Sequence, residues 1–446
     1  MNLIARPWAV FVFVGLLAQM PVQALAGMTI EEVQQFESCK AKAEKGDAEA
    51  QFNLGYYFAE AIGAANDHVQ AVSWYRKSAD QGNAKAQYNL GNCYYKGEGI
   101  AKDVVQAASW HRKSADQGNA LAQVRLGHHY NNGLAAARDF VQAAYWWRKA
   151  AEQGDADAQR SLGGCYFLGS GVAKDLAQAV SWWRKAAEQG NADTQLLLAL
   201  FYSQGEGVSK DLVQAAYWWR KAAEQGDAEG QNRLGICYYD GEGVSKDLAQ
   251  AASWFRKAAE QGNSEAQNRL GVRHACGEGV DMDFAQAAAW FRKSAEQGHA
   301  GAQYNLGSRY YAGEGVSKDL AQAVSWWRKA AEQGNVYAQF NLGNIYLTGE
   351  SVKEDHVQAV VWYRMAADQG LAEAQNKLGV RYIYGEGVAK DEIEAYAYWS
   401  LASKTDDDAR KNLVILEKKL SGDEISAGKK RSKQLQNEVE ARKAGK

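Results

Sequence analysis

Residues 155–190 read DADAQRSLGGCYFLGSGVAKDLAQAVSWWRKAAEQG, and variants of this block return without insertion or deletion along most of the chain. The closing glycine of the block, Gly190, recurs every 36 residues, at Gly82, Gly118, Gly154, Gly226, Gly262, Gly298, Gly334 and Gly370, with Gly46 as the first. A fixed period of this length marks small units that cannot bury their apolar faces alone and must stack on one another.

Each unit reads as two helices. The first opens at an Asp or Asn behind the closing glycine, as at Asp47, Asn83 and Asp155, whose side chains can accept the free N–H groups of a first turn; His299 and Leu371 are the exceptions. Ala158, Leu162 and Tyr166 follow at steps of four and share one face. A glycine stands after the leucine in every unit except the one with Ala199, which predicts close approach of a neighbouring backbone. The helix stops at Gly-x-Gly, as in Gly97-Glu98-Gly99. The second helix begins at Asp175 with Gln178 three residues on, a capping-box spacing repeated from Asp67 and Gln70 to Asp355 and Gln358. Trp182 and its equivalents, Trp74 to Trp362, supply area for stacking. An Arg-Lys pair near the helix end complements the dipole, with Arg76 and Asp80 spaced for pairing four residues apart.

The remaining composition agrees with a helical array. The chain has 446 residues, 46% hydrophobic and 23% charged, enough apolar content to exclude intrinsic disorder. Its only prolines are Pro7 and Pro21, so nothing after them breaks a helix by that route. With 51 Lys and Arg against 53 Asp and Glu, the formal charge is −2, which gives no overall attraction toward nucleic acid.

Residues 1–26 have the parts of a secretory signal: Arg6, an apolar run from Trp8 to Ala18, and Ala24-Leu25-Ala26 before Gly27. The expectation is an exported chain, periplasmic or secreted, with no membrane span once the leader is removed. Residues 27–46 read as a capping helix, 47–402 as the solenoid, and 403–446 as capping helices with a basic tail. In that tail Ser421 and Glu424 have the spacing of a capping box.

The blocks Ala-x-x-x-Leu-Gly-x-x-Tyr, Gly-x-Gly, Lys-Asp-x-x-Gln-Ala and Trp-x-Arg-Lys-Ala-Ala-Glu-Gln-Gly resemble the Sel-one-like repeat (SLR) family, relatives of tetratricopeptide repeats. Ala158, Leu162, Gly163, Tyr166, Gly169, Gly171, Lys174, Asp175, Ala179, Trp182 and Ala186 carry the match within one unit. The resemblance implies an all-α, right-handed α/α superhelical solenoid of about ten helix-turn-helix repeats, used as an adaptor for protein complexes and without enzymatic activity. Some exported cysteine-rich relatives are described as weak penicillin-binding or β-lactamase-like proteins, so the alternatives for this chain are a β-lactam or peptidoglycan-fragment binding or hydrolysing protein and a secreted host-interacting factor. Those relatives carry paired cysteines within each unit, and this chain does not.

Residues that could carry chemistry are few. Cys93, Cys165 and Cys237 occupy one register in alternate units, roughly 20 Å apart if units stack at about 10 Å, beyond disulfide reach. They read as buried thiols. Cys39 and Cys276 complete an odd five, and Cys276 lies near a loop. His128 and His129 are adjacent on a helix and point about 100° apart, so they do not chelate one ion together. His274 stands in the tyrosine register and is expected to fill a core slot. Ser426 and Lys429 form an isolated Ser-x-x-Lys without partner motifs. The Gly-x-Gly loops lack the strand of a phosphate cradle. No metal and no cofactor is expected.

Function is then assigned to the positions that vary. Those three, seven, ten and fourteen residues after each closing glycine lie opposite the Ala-Leu-Tyr face and are expected to line a concave groove. The candidate protein-binding residues are Arg125, His128, Leu197, Leu200, Arg233, Ile236, Arg269, Cys276, Asn305 and Asn341. Apolar anchors beside Arg suit capture of a protein or peptide, and asparagine amides suit an extended backbone.

Overall fold

The computed structural model describes residues 30–62 and 66–444. The leader expected at residues 1–26 lies outside them. Among the described residues there are helices and no strands, and the chain is an all-α solenoid. Two compact units divide it, the first ending at Trp218 and the second beginning at Trp219.

The repeat of residues 155–190, in the first unit, shows why the sequence folds this way. Asp155 accepts the N–H of Ala158 at 2.8 Å and opens the helix Ala156–Leu168, which Gly169 closes in the left-handed region at φ 73°. Gly171 then comes within contact of the Phe140 carbonyl; a Cβ there would lie 2.0 Å from its oxygen, so only glycine lets the loop seat on the preceding repeat. Asp175 accepts the N–H of Gln178 at 3.0 Å and opens the helix Leu176–Glu188. The expected reciprocal bond from the Gln amide is not made. The cap residue's own N–H already donates to the Tyr166 carbonyl at 2.9 Å, which ties the two helices of the repeat together.

Packing corrects the reading of the glycine after the leucine. It makes room for an aromatic ring rather than for backbone: Gly163 faces Trp183, Gly91 faces His111 and Gly127 faces Trp147 in the first unit, while Gly235 faces Phe255 and Gly307 faces Trp327 in the second. The aromatic that meets this glycine is therefore the residue after the repeating tryptophan, although Trp146 and Trp218 of the repeating series are themselves buried. Trp183 is buried whereas Trp182 is partly covered, with Lys185 Nζ 4.0 Å from its ring centroid. Around Gly163 the core gathers Leu162, Ala158 and Cys165 with Trp147, Ala150 and Ala151 of the preceding repeat.

A second device went unread in the sequence. Every repeat buries a glutamine near the start of its first helix, such as Gln159 and Gln267. Gln159 Nε2 donates to the Ala151 carbonyl at 3.2 Å, and its Oε1 accepts from Gln189 Nε2 at 2.9 Å. Gln267 is held in the same way, by Ala259 at 3.0 Å and Gln297 at 2.8 Å. Buried amides satisfied at both ends fix the register of one repeat on the next.

The ends differ from the interior. The helix Ile30–Glu44 packs Phe36 and Ala43 against Ala50 and Leu54. At the other terminus the helix Gly422–Ala444 opens with a reciprocal box, in which Ser421 N–H donates to Glu424 Oε2 at 2.8 Å and Glu424 N–H donates to the Ser421 hydroxyl at 3.3 Å. This basic segment is docked. Gly428 lies against the Tyr396 ring, Arg431 Nε donates to Glu394 Oε1 at 2.6 Å, and Arg442 pairs with Asp368. No described helix is long and apolar enough to cross a membrane.

Candidate functional site

The first helices of successive repeats touch through their N-terminal turns. In the second unit Asn263 Nδ2 donates to Glu229 Oε2 at 3.3 Å and His299 Nε2 lies 2.7 Å from Glu265 Oε2. His299, an apparent exception to the capping rule, caps its helix after all, because Nδ1 accepts the N–H of Ala302 at 3.0 Å. That bond fixes the proton on Nε2, so the ring donates to Glu265 and holds this carboxyl below its ordinary range. Leu371 makes no capping bond. The variable positions opposite the Ala-Leu-Tyr face are half-buried or exposed in all ten repeats, and none is buried.

The ten candidate residues divide between the two units. In the first, Arg125 is exposed without an ion pair, and Leu200 is exposed beside half-buried Leu197. His128 is half-buried and packs edge-on against Trp147 with centroids 5.4 Å apart; burial, and then Arg125, lower its pKa. In the second, the arginines are not the free anchors expected. Arg233 Nε bonds Glu229 Oε1 at 2.6 Å and Arg269 Nη2 bonds Glu265 Oε1 at 2.8 Å, each four residues back on its own helix. Ile236 packs partly into the Phe255 and Leu270 cluster. Asn305 Nδ2 is committed to Asn268 Oδ1 at 3.0 Å, a bond between neighbouring first helices. Cys276 is exposed at its helix end.

Asn341 is placed differently. It borders a cavity of about 350 Å³ between the first helices Ala300–Ala312 and Val336–Thr348, with Ser308, Asn344, Tyr311, Trp327 and Glu350. The Asn341 amide has no partner among the described residues. Asn344 Oδ1 accepts from the Tyr363 hydroxyl at 2.8 Å, which orients the side chain and leaves its NH₂ group free to donate. The site thus offers one unpartnered amide and one free NH₂ group against aromatic walls, the combination that holds an extended backbone and one flat or apolar side chain.

The other groups with possible chemistry are sealed. Cys93, Cys165 and Cys237 are buried free thiols whose pKa values burial pushes up to about 11, 11 and 12. His274 is buried, as its register implied. Sequence reasoning missed the pairing of His111 with His129, whose Nδ1 and Nε2 lie 3.0 Å apart while His111 Nε2 lies 3.2 Å from Asn92 Oδ1. The available signal was that His111 takes an aromatic core register and His129 takes the register of Cys93 and Cys165. Among the described residues no three His, Cys, Asp or Glu side chains are grouped to hold a metal ion.

Paired helices in tandem, each repeat docked on the next through one aromatic ring and one buried amide, define a helical-repeat protein. The family description "Sel1 repeat" matches ten consecutive segments, residues 48–83 through 372–407. The chain belongs to the Sel1 repeat family. It is similar to c5321, described as a protective antigen present in uropathogenic Escherichia coli strains and displaying an SLR fold, with 39% identity, 91% of this chain and 95% of that one covered, and a TM-score of 0.69. A Sel1 repeat protein from Oxalobacter formigenes is 34% identical over 69% of this chain and 89% of its own, with a TM-score of 0.59. No curated protein matches the chain. Repeats of this kind generally mediate protein–protein interaction and are typically non-catalytic.

Proposed function

We propose that the protein is an exported, non-enzymatic scaffold that holds an extended segment of a partner protein against its first helices. The observation that carries the reading is the Asn341 cavity, where the unpartnered Asn341 amide, the free NH₂ group of Asn344, Tyr311 and Trp327 border the same space between neighbouring first helices. The family's use in protein–protein contact supports a peptide as the occupant. Export rests on the signal-like residues 1–26, and the similar protein is described as a protective antigen present in uropathogenic E. coli strains.

The test is selection of extended peptides on the purified chain, followed by affinity measurement on Asn341→Ala and Asn344→Ala. Each substitution removes hydrogen bonds worth about 1 kcal/mol, so the best peptide should lose roughly fivefold to tenfold in each variant, with thermal unfolding unchanged in Asn341→Ala and lowered in Asn344→Ala, which strips the buried Tyr363 hydroxyl of its acceptor. Unaltered affinity in both would remove the first-helix face from the reading.

A further inference from the structure

The outer surface of the second helices carries a ladder. In eight repeats the arginine near the end of the second helix, followed by Lys in all but Arg364, reaches the tyrosine 18 residues on, in the next repeat's first helix, instead of serving mainly the dipole or an acid four residues away. In the first unit Arg76, Arg112 and Arg148 bond Tyr94, Tyr130 and Tyr166 at 2.6, 3.2 and 2.7 Å, and Arg184 bonds Tyr202. In the second, Arg220, Arg292, Arg328 and Arg364 bond Tyr238, Tyr310, Tyr346 and Tyr382 at 2.9, 2.6, 2.7 and 2.7 Å. Only Arg112 also pairs four residues on, with Asp116 at 3.2 Å.

One rung is missing among the described residues. The partner due to Arg256 is His274, whose ring is too short to replace the phenol, and Arg256 has no hydrogen bond, ion pair or ring contact. Both side chains border a cavity of about 920 Å³ that also meets Trp290, Glu260, Asp281 and Asp283. His274 is 7% exposed and neither ring nitrogen is partnered; Nδ1 is sealed from solvent, so Nε2 is the nitrogen the cavity reaches. Asp283 is turned to its own helix, where it accepts the N–H groups of Ala285 and Gln286, each at 2.9 Å. Glu260 and Asp281 are exposed. His274 is therefore the buried group of the cavity, and the exposed, unpaired Arg256 guanidinium shares the rim with the carboxylates.

We infer that this cavity is a binding site for a small zwitterion of the α-amino acid type. Its carboxylate takes the place of the missing phenol oxygen, on the Arg256 guanidinium and His274 Nε2, and its ammonium faces Glu260 and Asp281. A guanidinium matches a carboxylate in geometry and charge. The rim acids repel a polyanion and attract an ammonium, which selects the zwitterion over phosphate. Trp290, whose ring has Lys293 Nζ 4.1 Å from its centroid, borders the same space and leaves room for only a short side chain. The site is formed by two second helices, the end of the first helix that carries His274 and the connecting loop, away from the Asn341 cavity, and stands or falls independently of the peptide reading.

The test is calorimetric titration of the full chain with L-alanine, acetate, methylamine and inorganic phosphate. L-Alanine should bind once per chain, acetate and methylamine at least tenfold more weakly, and phosphate not measurably. Arg256→Gln should weaken alanine at least tenfold. His274→Tyr installs the residue that the other repeats carry, so it should abolish alanine binding while the unfolding temperature holds or rises, which separates loss of a site from loss of the fold. No alanine binding at millimolar concentration, equal binding by His274→Tyr, or preference for phosphate would each overturn the assignment.

Discussion

A Cβ placed on Gly163 would lie 2.4 Å from Cδ1 of the Trp183 ring, nearer than any side chain can approach. The ring cannot yield easily, because Trp183 Nε1 donates to the Arg160 carbonyl at 3.1 Å and the residue is buried. Glycine inside a helix costs about 0.5–1 kcal/mol relative to alanine, and here that cost is offset by the seat it opens for an indole. Next along, Gly164 has no atom within 4 Å of its hypothetical Cβ.

These neighbours give a paired prediction. Gly163→Ala should destabilise by about 1–3 kcal/mol through overpacking, whereas Gly164→Ala should stabilise by about 0.5–1 kcal/mol. Urea unfolding midpoints of the two variants, which differ by one position, measure the contrast. A shift of the same sign in both would show that helix propensity outweighs the ring contact.

The capping geometry separates two residues that the sequence pattern joins. Asp175→Ala removes the acceptor for Gln178 N–H and should cost about 1 kcal/mol. Gln178→Ala should stay within about 0.5 kcal/mol, because the bond expected of its amide is already made by the Tyr166 carbonyl. Thermal unfolding of both variants checks this, and equal losses would restore the reciprocal box.

What the sequence declared and what it withheld follow from locality. The period, the helix starts and the breaks at Gly97 or Gly169 depend on residues a few positions apart, so they were legible. The roles of Gln189 and Arg148 depend on partners 30 residues back and 18 residues on, so locally Arg148 shows only a charge at a helix end and Gln189 shows no role at all. The candidate binding face was legible as a set of unburied positions. Its arginines were misread because Glu229 and Glu265 lie one turn before Arg233 and Arg269 on the same helix. The Asn341 cavity needed the spacing of two helices, which no single repeat contains.

Thiol reactivity gives a further check. Burial holds Cys93, Cys165 and Cys237 as thiols with raised pKa values, and Cys39 is also raised, mainly by burial, while its Sγ donates to the Ala50 carbonyl at 3.3 Å. A thiolate is the reacting form, so iodoacetamide at pH 8 should label exposed Cys276 first in the native chain and the other four only slowly. Peptide mass mapping reads the order; rapid labelling of Cys165 would contradict the packing.

The His111 and His129 pair makes the first unit acid-sensitive. Burial, and then the charge each would feel from its neighbours, lowers His111 to about 3 and His129 to about 4, against about 6.5 in an unfolded chain. Below about pH 6.5 the unfolded chain binds protons that the folded pair refuses, so stability is full above that pH and declines as pH falls toward 4 and 3. The slope is at most about 1.4 kcal/mol per pH unit for each proton. Replacing the pair with residues its own neighbours use, His111→Trp with His129→Cys, removes the titration. The unfolding temperature of this double variant should fall less than that of the parent between pH 6.5 and 4, and parallel curves would show that other groups set the acid limit.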